Sequence, residues 1–189
     1  MTEHCPLIAN EQDSVLVLMD IQERLTVAMT NGVRERLIAQ ISILLAASKT
    51  LSVPVIVTEQ YPKGLGATEL ALKSLLSETV PVIEKTSFSS VKADGFLAAI
   101  TGVKRTQIIL TGMETHICIL QSALDLQQQG YQVFVVEDAV SSRSTKNQDN
   151  ALHRMRQAGV IISNVESIVF EWLGNAKHPE FRSLSKLIV

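Results

Sequence analysis

Cys118 stands in the run Thr111-Gly-Met-Glu-Thr-His-Ile-Cys118, where an apolar segment gives way to an amphipathic one. A thiol in the first turn of a helix faces unpaired backbone N–H groups and the positive end of the helix dipole. Both stabilise a thiolate, and the same N–H groups can hold a developing oxyanion. The plain alternative is core packing, the commoner fate of a lone helical cysteine. Two other residues bear on the choice. Asp20 directly follows the apolar run Val15-Leu-Val-Leu-Met19, where a carboxylate is costly unless paired or used; capping a following turn is its ordinary reading. Lys85 follows Val80-Pro-Val-Ile83 and Glu84 and opens the polar cluster Thr86-Ser-Phe-Ser-Ser90; a solvated lysine or a Glu84 partner is the ordinary reading there. Taken together, the acid, the ammonium and the thiol are a set that can perform acyl transfer. The carboxylate accepts the thiol proton and passes it to a leaving group, while the ammonium holds thiolate and carboxylate in place.

Such a set works only if the chain brings it together. Short β-branched runs alternate with longer amphipathic stretches, the pattern of helices on both faces of a mainly parallel sheet. The candidate strands are Val15–Met19, Pro54–Thr58, Val80–Ile83, Gln107–Thr111, Gln132–Val136 and Val160–Ile162. Between the first two, Leu37, Ile38, Ile41, Leu44 and Leu45 share one face of a helix predicted over Arg34–Leu51. Further helices are predicted over Thr115–Gln129, ending at Gly130, and Ser144–Gln157, ending at Gly159. Weaker ones cover Thr68–Leu76, Ala93–Thr101 and Val165–Leu173, and the segment from Asn175 reads as a tail packed on the domain. Right-handed crossovers put all strand carboxyl ends on one sheet edge, where ligands of such folds bind. The suspects on that edge are Asp20, Glu59 and Gln60, Glu84 and Lys85, and Gly112 to Cys118.

Composition narrows the class. Lys and Arg number 17 against 19 Asp and Glu, a formal net charge of −2, with no basic stripe to neutralise phosphates. Nucleic acid is not an expected partner. A chain of 189 residues, 46% hydrophobic, supports one core, read as one domain over residues 1–189. No apolar run approaches the ~18 residues of a membrane span. Cys5 and Cys118 fit neither a disulfide framework nor a zinc spacing, and the start Met1-Thr-Glu-His-Cys-Pro lacks a basic, then apolar, leader. A cytoplasmic location is expected.

The motifs Leu18-Met-Asp-Ile-Gln22, Glu84-Lys-Thr-Ser-Phe-Ser89 and Gly112-Met-Glu-Thr-His-Ile-Cys118 resemble, in order and spacing, those of the isochorismatase-like cysteine hydrolases. That family includes nicotinamidases and N-carbamoylsarcosine amidohydrolases, and the similarity spans nearly the whole chain. Val53 to Gly66 and Glu137-Asp-Ala-Val-Ser-Ser-Arg143 are similar to its isochorismatase domain-containing branch. The resemblance implies a three-layer α-β-α, Rossmann-like fold on a six-stranded, mainly parallel sheet. It implies Asp20 as general base, Lys85 as its charged partner and Cys118 as the nucleophile of an acyl-enzyme. It also implies a cis peptide between Met113 and Glu114 that aims the Glu114 and Cys118 backbone N–H groups at the oxyanion. Family members usually assemble, so a homo-oligomer is expected; the apolar Ile168, Val169, Phe170 and Trp172 exceed what one short helix face buries.

Two departures matter. Nicotinamidases follow their second strand with an Asp-x-His metal cluster, whereas this chain has Glu59-Gln-Tyr-Pro62, and its histidines, His4, His116, His153 and His178, show no ligand spacing. No metal and no cofactor are expected. Isochorismate-hydrolysing members typically lack the cysteine, since protonating a vinyl ether needs an acid and not a nucleophile. The expectation is therefore a cysteine-dependent hydrolase of a small amide or ureido C–N bond. The alternatives are vinyl-ether hydrolysis with Asp20 as acid, and an interaction domain without turnover. Gln22, Gln60, Tyr61, Phe88 and His116 are candidate pocket walls by position, and each could equally be packing. Gly64-x-Gly66 reads as a simple turn.

Overall fold

The structure, a computed structural model, describes residues 7–29 and 32–188; His4 and Cys5 lie outside them. Six strands form one sheet: β1 (Ser14–Met19), β2 (Val55–Gln60), β3 (Val82–Lys85), β4 (Gln107–Met113), β5 (Gln132–Ser141) and β6 (Ile161–Ser163). Their order is β3-β2-β1-β4-β5-β6, and every neighbouring pair is parallel. The helices of the described residues are α1 (Glu23–Val27), α2 (Val33–Leu51), α3 (Pro62–Leu65), α4 (Leu70–Lys73), α5 (Phe96–Gly102), α6 (Leu120–Gln128), α7 (Thr145–Gln157), α8 (Val165–Leu173) and α9 (Phe181–Ser185).

Both faces of the sheet are covered, which is why the central strands are continuous apolar runs instead of alternating ones. Successive residues point to opposite faces. Leu16 and Leu18 of β1 join Leu37, Ile41 and Leu44 of α2 and Ile168 and Val169 of α8 in one buried layer. Val15, Val17 and Met19 join Phe96 and Ile100 of α5, Leu126 of α6 and Met155 of α7 in the other. This is the three-layer α-β-α arrangement expected from the sequence, with β1 and β4 at its centre.

Several boundaries move, each for a local reason. The β2–β3 ladder runs on through Glu59↔Glu84 and Gln60↔Lys85, so Glu59, Gln60, Glu84 and Lys85 are terminal strand residues and not the loop residues predicted. β5 continues to Ser141. Its register shifts between Leu110 and Gly112 of β4, where Glu137 turns outward and Asp138 accepts the Val165 N–H at 3.0 Å. The helix predicted over Thr68–Leu76 shrinks to α4 because Thr68 is bound to Glu59 and the Glu69 N–H to the Ile21 carbonyl. Helices α1 and α3 are too short to show a period. Gly130 and Gly159 have φ of +88° and +90°, as helix ends there require.

The apolar stretch in α8 needs no second subunit. Ile168, Val169 and Trp172 are core residues, and Phe170, 37% exposed, meets Phe181 of α9 edge-on with ring centroids 6.0 Å apart. The Trp172 Nε1–H donates to Ser14 Oγ at 2.9 Å. These side chains are accommodated within the chain and leave no apolar face on α8 for a second subunit to cover.

Gly112 controls how closely the two central strands approach. It pairs with Met19 at φ +115°, and a Cβ there would lie 2.0 Å from the Met19 carbonyl oxygen, next to Asp20. Gly112→Ala is expected to destabilise the fold by about 2–3 kcal/mol. An unchanged midpoint in urea denaturation would contradict that approach.

Candidate active site

β1 pairs with β2 on one side and β4 on the other, so the connections leave it in opposite directions and open a crevice at its carboxyl end. Asp20, the first residue beyond β1, sits there at φ +55° with no side-chain exposure. Lys85 enters from the end of β3. Its Nζ donates to Asp20 Oδ2 at 2.6 Å, to Gln60 Oε1 at 2.7 Å and to the Phe88 carbonyl at 3.2 Å. The other Asp20 oxygen accepts the Thr58 hydroxyl at 2.6 Å. A buried ion pair is tolerable only when its remaining hydrogen-bonding capacity is met, and these partners meet it.

Cys118 arrives from β4. The Met113–Glu114 peptide is cis. The chain then enters a wide turn over Thr115–Ile119, in which the Ile119 N–H reaches back five residues to the Glu114 carbonyl. Such turns recur at functional sites. The thiol is nearly buried, and the charges of Asp20 and Lys85 both act on it. It forms part of a cavity of about 140 Å³ lined also by Leu25, Gln60, Leu65, Phe88, Glu114, Ile117 and Arg143.

The electrostatics correct one expectation. Helix-start stabilisation would lower the thiol's pKa. Instead burial, and after it the negative charge of Asp20, push the Cys118 thiol up to about 12, against the opposing pull of Lys85. A thiol raised that far favours its protonated form near neutral pH, so reaction at the sulfur would require a group to take the proton. Asp20→Asn removes a raising charge and is expected to make Cys118 more acidic. Iodoacetamide alkylation followed against pH reads this directly. The wild-type rate should climb well past the ~8.5 of a free thiol, and the variant's inflection should fall below that of the wild type; an inflection near ~8.5 in the wild type would contradict the assignment.

The pocket candidates separate. Gln60 and Phe88 line the cavity, and Phe88 is 53% exposed. Gln22 is fully buried and clamps the neighbouring loop, donating to the Gln60 carbonyl at 3.0 Å and to the Gly66 carbonyl at 2.6 Å while accepting the Gln60 N–H at 2.7 Å. Tyr61 lines a different cavity, beside Pro62, Lys63 and Thr86. His116 Nδ1 lies 2.9 Å from Ser142 Oγ and 3.3 Å from Glu114 Oε2, behind the pocket wall. Glu59 carries structure: its Oε1 accepts both the N–H and the hydroxyl of Thr68, at 2.7 and 2.6 Å. Among the described residues no group of three or more His, Cys, Asp or Glu comes together to hold a metal.

Sequence reasoning missed Thr58, Arg143 and the two leucines. Thr58 carried a signal, a hydroxyl at the end of an apolar strand; it pairs with Met19, one residue before Asp20. The leucines lie on α1 and α3, which had not been foreseen.

A doubly wound parallel sheet with a buried Asp–Lys pair and a thiol at its switch point defines an α/β protein of the isochorismatase-like hydrolase fold. The isochorismatase domain family matches residues 14–167, and the chain belongs to that family. Isochorismatase domain-containing protein 2 of Xenopus laevis is 39% identical over 181 residues, 95% of this chain and 85% of that protein. The MAR1 ribonuclease structure from Caenorhabditis elegans is 38% identical with a TM-score of 0.89, over 96% of this chain and 92% of that one. The octameric Escherichia coli YcaC hydrolase of unknown specificity shares the fold, with a TM-score of 0.85 at 22% identity over 95% of each chain.

Proposed function

We propose that the chain is a metal- and cofactor-independent cysteine hydrolase that cleaves the C–N bond of a small amide or ureido compound. The observation that carries this reading is the fully buried 2.6 Å Asp20–Lys85 pair whose charges act on the Cys118 thiol, itself part of the lining of a small cavity. A neutral thiol is a weak nucleophile, and a carboxylate within reach of it is the base it lacks. The sulfur adds to the carbonyl carbon as its proton passes to Asp20, and the oxyanion faces the Glu114 and Cys118 backbone N–H groups. Asp20 returns the proton to the leaving nitrogen, the C–N bond breaks, and an acyl-thioester remains on Cys118. Water then adds to the thioester, giving a proton to Asp20. The sulfur leaves and recovers that proton, releasing the acid. Lys85 keeps its charge throughout and holds Asp20 in place.

The cavity of about 140 Å³ and the net charge of −2 favour a small-molecule substrate over RNA, despite the C. elegans relative's description as a ribonuclease. No membrane partner is proposed, and no helix of the described residues is long and apolar enough to cross a membrane. We place the protein in the reducing cytoplasm as one domain. A homo-oligomer is proposed on the fold shared with octameric YcaC and on the half-exposed Phe88 among the cavity's lining residues.

The test is ammonia or amine release from a panel of short primary amides and ureido acids, with single-stranded RNA alongside. Turnover of at least one amide or ureido compound, with RNA left intact, is expected. Cleavage of RNA that disappears in Cys118→Ala would replace the amide reading. No turnover anywhere, with a stable protein complex recovered from cells, would make this an interaction domain.

A further inference from the structure

Glu114 has a side chain that the proposed chemistry does not use. In the proposed chemistry its backbone serves the oxyanion, yet Glu114 is also one of the residues lining the cavity that holds Cys118, and its side chain is 9% exposed. Oε2 is buried without a hydrogen-bond donor. The nearest basic side chains form no hydrogen bond to it. Arg143 Nε stands 3.9 Å from Oε1, and the guanidinium is 62% exposed. His116 Nδ1, 3.3 Å from Oε2, is engaged with Ser142. Arg143 also lines the cavity, with its guanidinium largely in solvent, whereas the polar groups around the thiol are committed. Gln60 accepts from Lys85 and donates to the Thr86 carbonyl, and both Asp20 oxygens are taken. Leu25, Leu65, Phe88 and Ile117 offer no donor. A buried carboxylate left short of donors is satisfied by a ligand N–H and opposed by a ligand carboxylate.

We propose that Glu114 is the specificity-determining residue of the Cys118 pocket, selecting groups that present an N–H donor or a positive charge beside the reacting carbon and rejecting those that carry a carboxylate there. With a cavity of about 140 Å³, this points to short primary carboxamides, ureido groups or aminoacyl groups. The substrate-class part rests on the reading of Cys118 as an acyl nucleophile; the preference itself does not.

Iodoacetamide and iodoacetate separate the two. Each alkylates Cys118 in the same way: the sulfur forms a C–S bond, the C–I bond breaks, iodide leaves, and the thiol proton passes through Asp20 to solvent. One reagent presents an amide N–H and the other a carboxylate. Rates at Cys118, resolved from Cys5 by peptide mass spectrometry and normalised to free cysteine, cancel the thiolate fraction and the reagents' own reactivity. The normalised preference for iodoacetamide is expected to be about tenfold in the wild type. Glu114→Gln should remove most of it. Arg143→Ala, at an exposed position, should increase it by leaving the Glu114 charge uncompensated. A normalised ratio near one in the wild type, or an unchanged ratio in a Glu114→Gln protein with a normal melting curve, would overturn the proposal. If Glu114→Gln fails to fold, Arg143→Ala decides: a preference that does not rise counts against Glu114. A preference that holds while no amide is turned over sinks the hydrolase reading and leaves the selectivity standing; turnover without preference does the reverse.

Discussion

Cys118→Ala is expected to lower amide turnover by about 10⁴-fold or more, in line with the loss of a nucleophile that acts as a unit with its base. Stability should change little. The cysteine is a small, mostly buried hydrophobe beside Ile119 and Leu120, and alanine leaves only a sulfur-sized gap. The variant also separates two reactions that the family's fold can host. Amide cleavage through a thioester needs the sulfur. Protonation of a vinyl ether needs only an acid, so full activity of Cys118→Ala on isochorismate would transfer the chemistry to Asp20 and remove the nucleophile from the account.

Lys85→Met should be the costliest change to the fold among the site residues. The ammonium is wholly buried and supplies donors to Asp20, Gln60 and the Phe88 carbonyl. Methionine leaves the Asp20 carboxylate desolvated and without its charged donor, a loss of about 3–5 kcal/mol. For a chain of this size that is a fall in Tm on the order of 10 °C. Asp20→Asn combined with Lys85→Met removes both charges and should recover part of the loss, because the cost lies in the unpaired charge and not in the missing contact. A Lys85→Met protein within about 1 kcal/mol of wild type would mean that water reaches the pair.

The layered fold and its sheet edge could be read before the structure was known, because both depend on periodicity. Apolar runs such as Val15–Met19 and Gln107–Thr111 have no other home than a sheet covered on both faces, and parallel crossovers then place Asp20 and Cys118 at one edge. Side-chain direction is another matter. Gln22 and His116 lie close in sequence to Asp20 and Cys118, yet Gln22 bridges to the Gln60 strand end and Gly66, and His116 turns to Ser142. These orientations are set by loops whose course depends on long-range partners. The latch from Glu59 to Thr68, which cut the predicted helix short, is one such partner. The sign of the Cys118 shift was out of reach for the same reason: proximity to a helix start is local, whereas burial and the Asp20 charge follow from the assembled sheet.

The central claim is that Cys118 carries the acyl group. Rapid quenching of the protein in acid during turnover of an active amide, followed by intact and peptide mass spectrometry, tests it directly. The expected result is a fraction of the chain heavier by the acyl group, mapped to the Cys118 peptide, labile to hydroxylamine as a thioester should be, and missing from Cys118→Ala. Turnover at full rate with no adduct on Cys118 at any quench time, and with activity retained in Cys118→Ala, would contradict it.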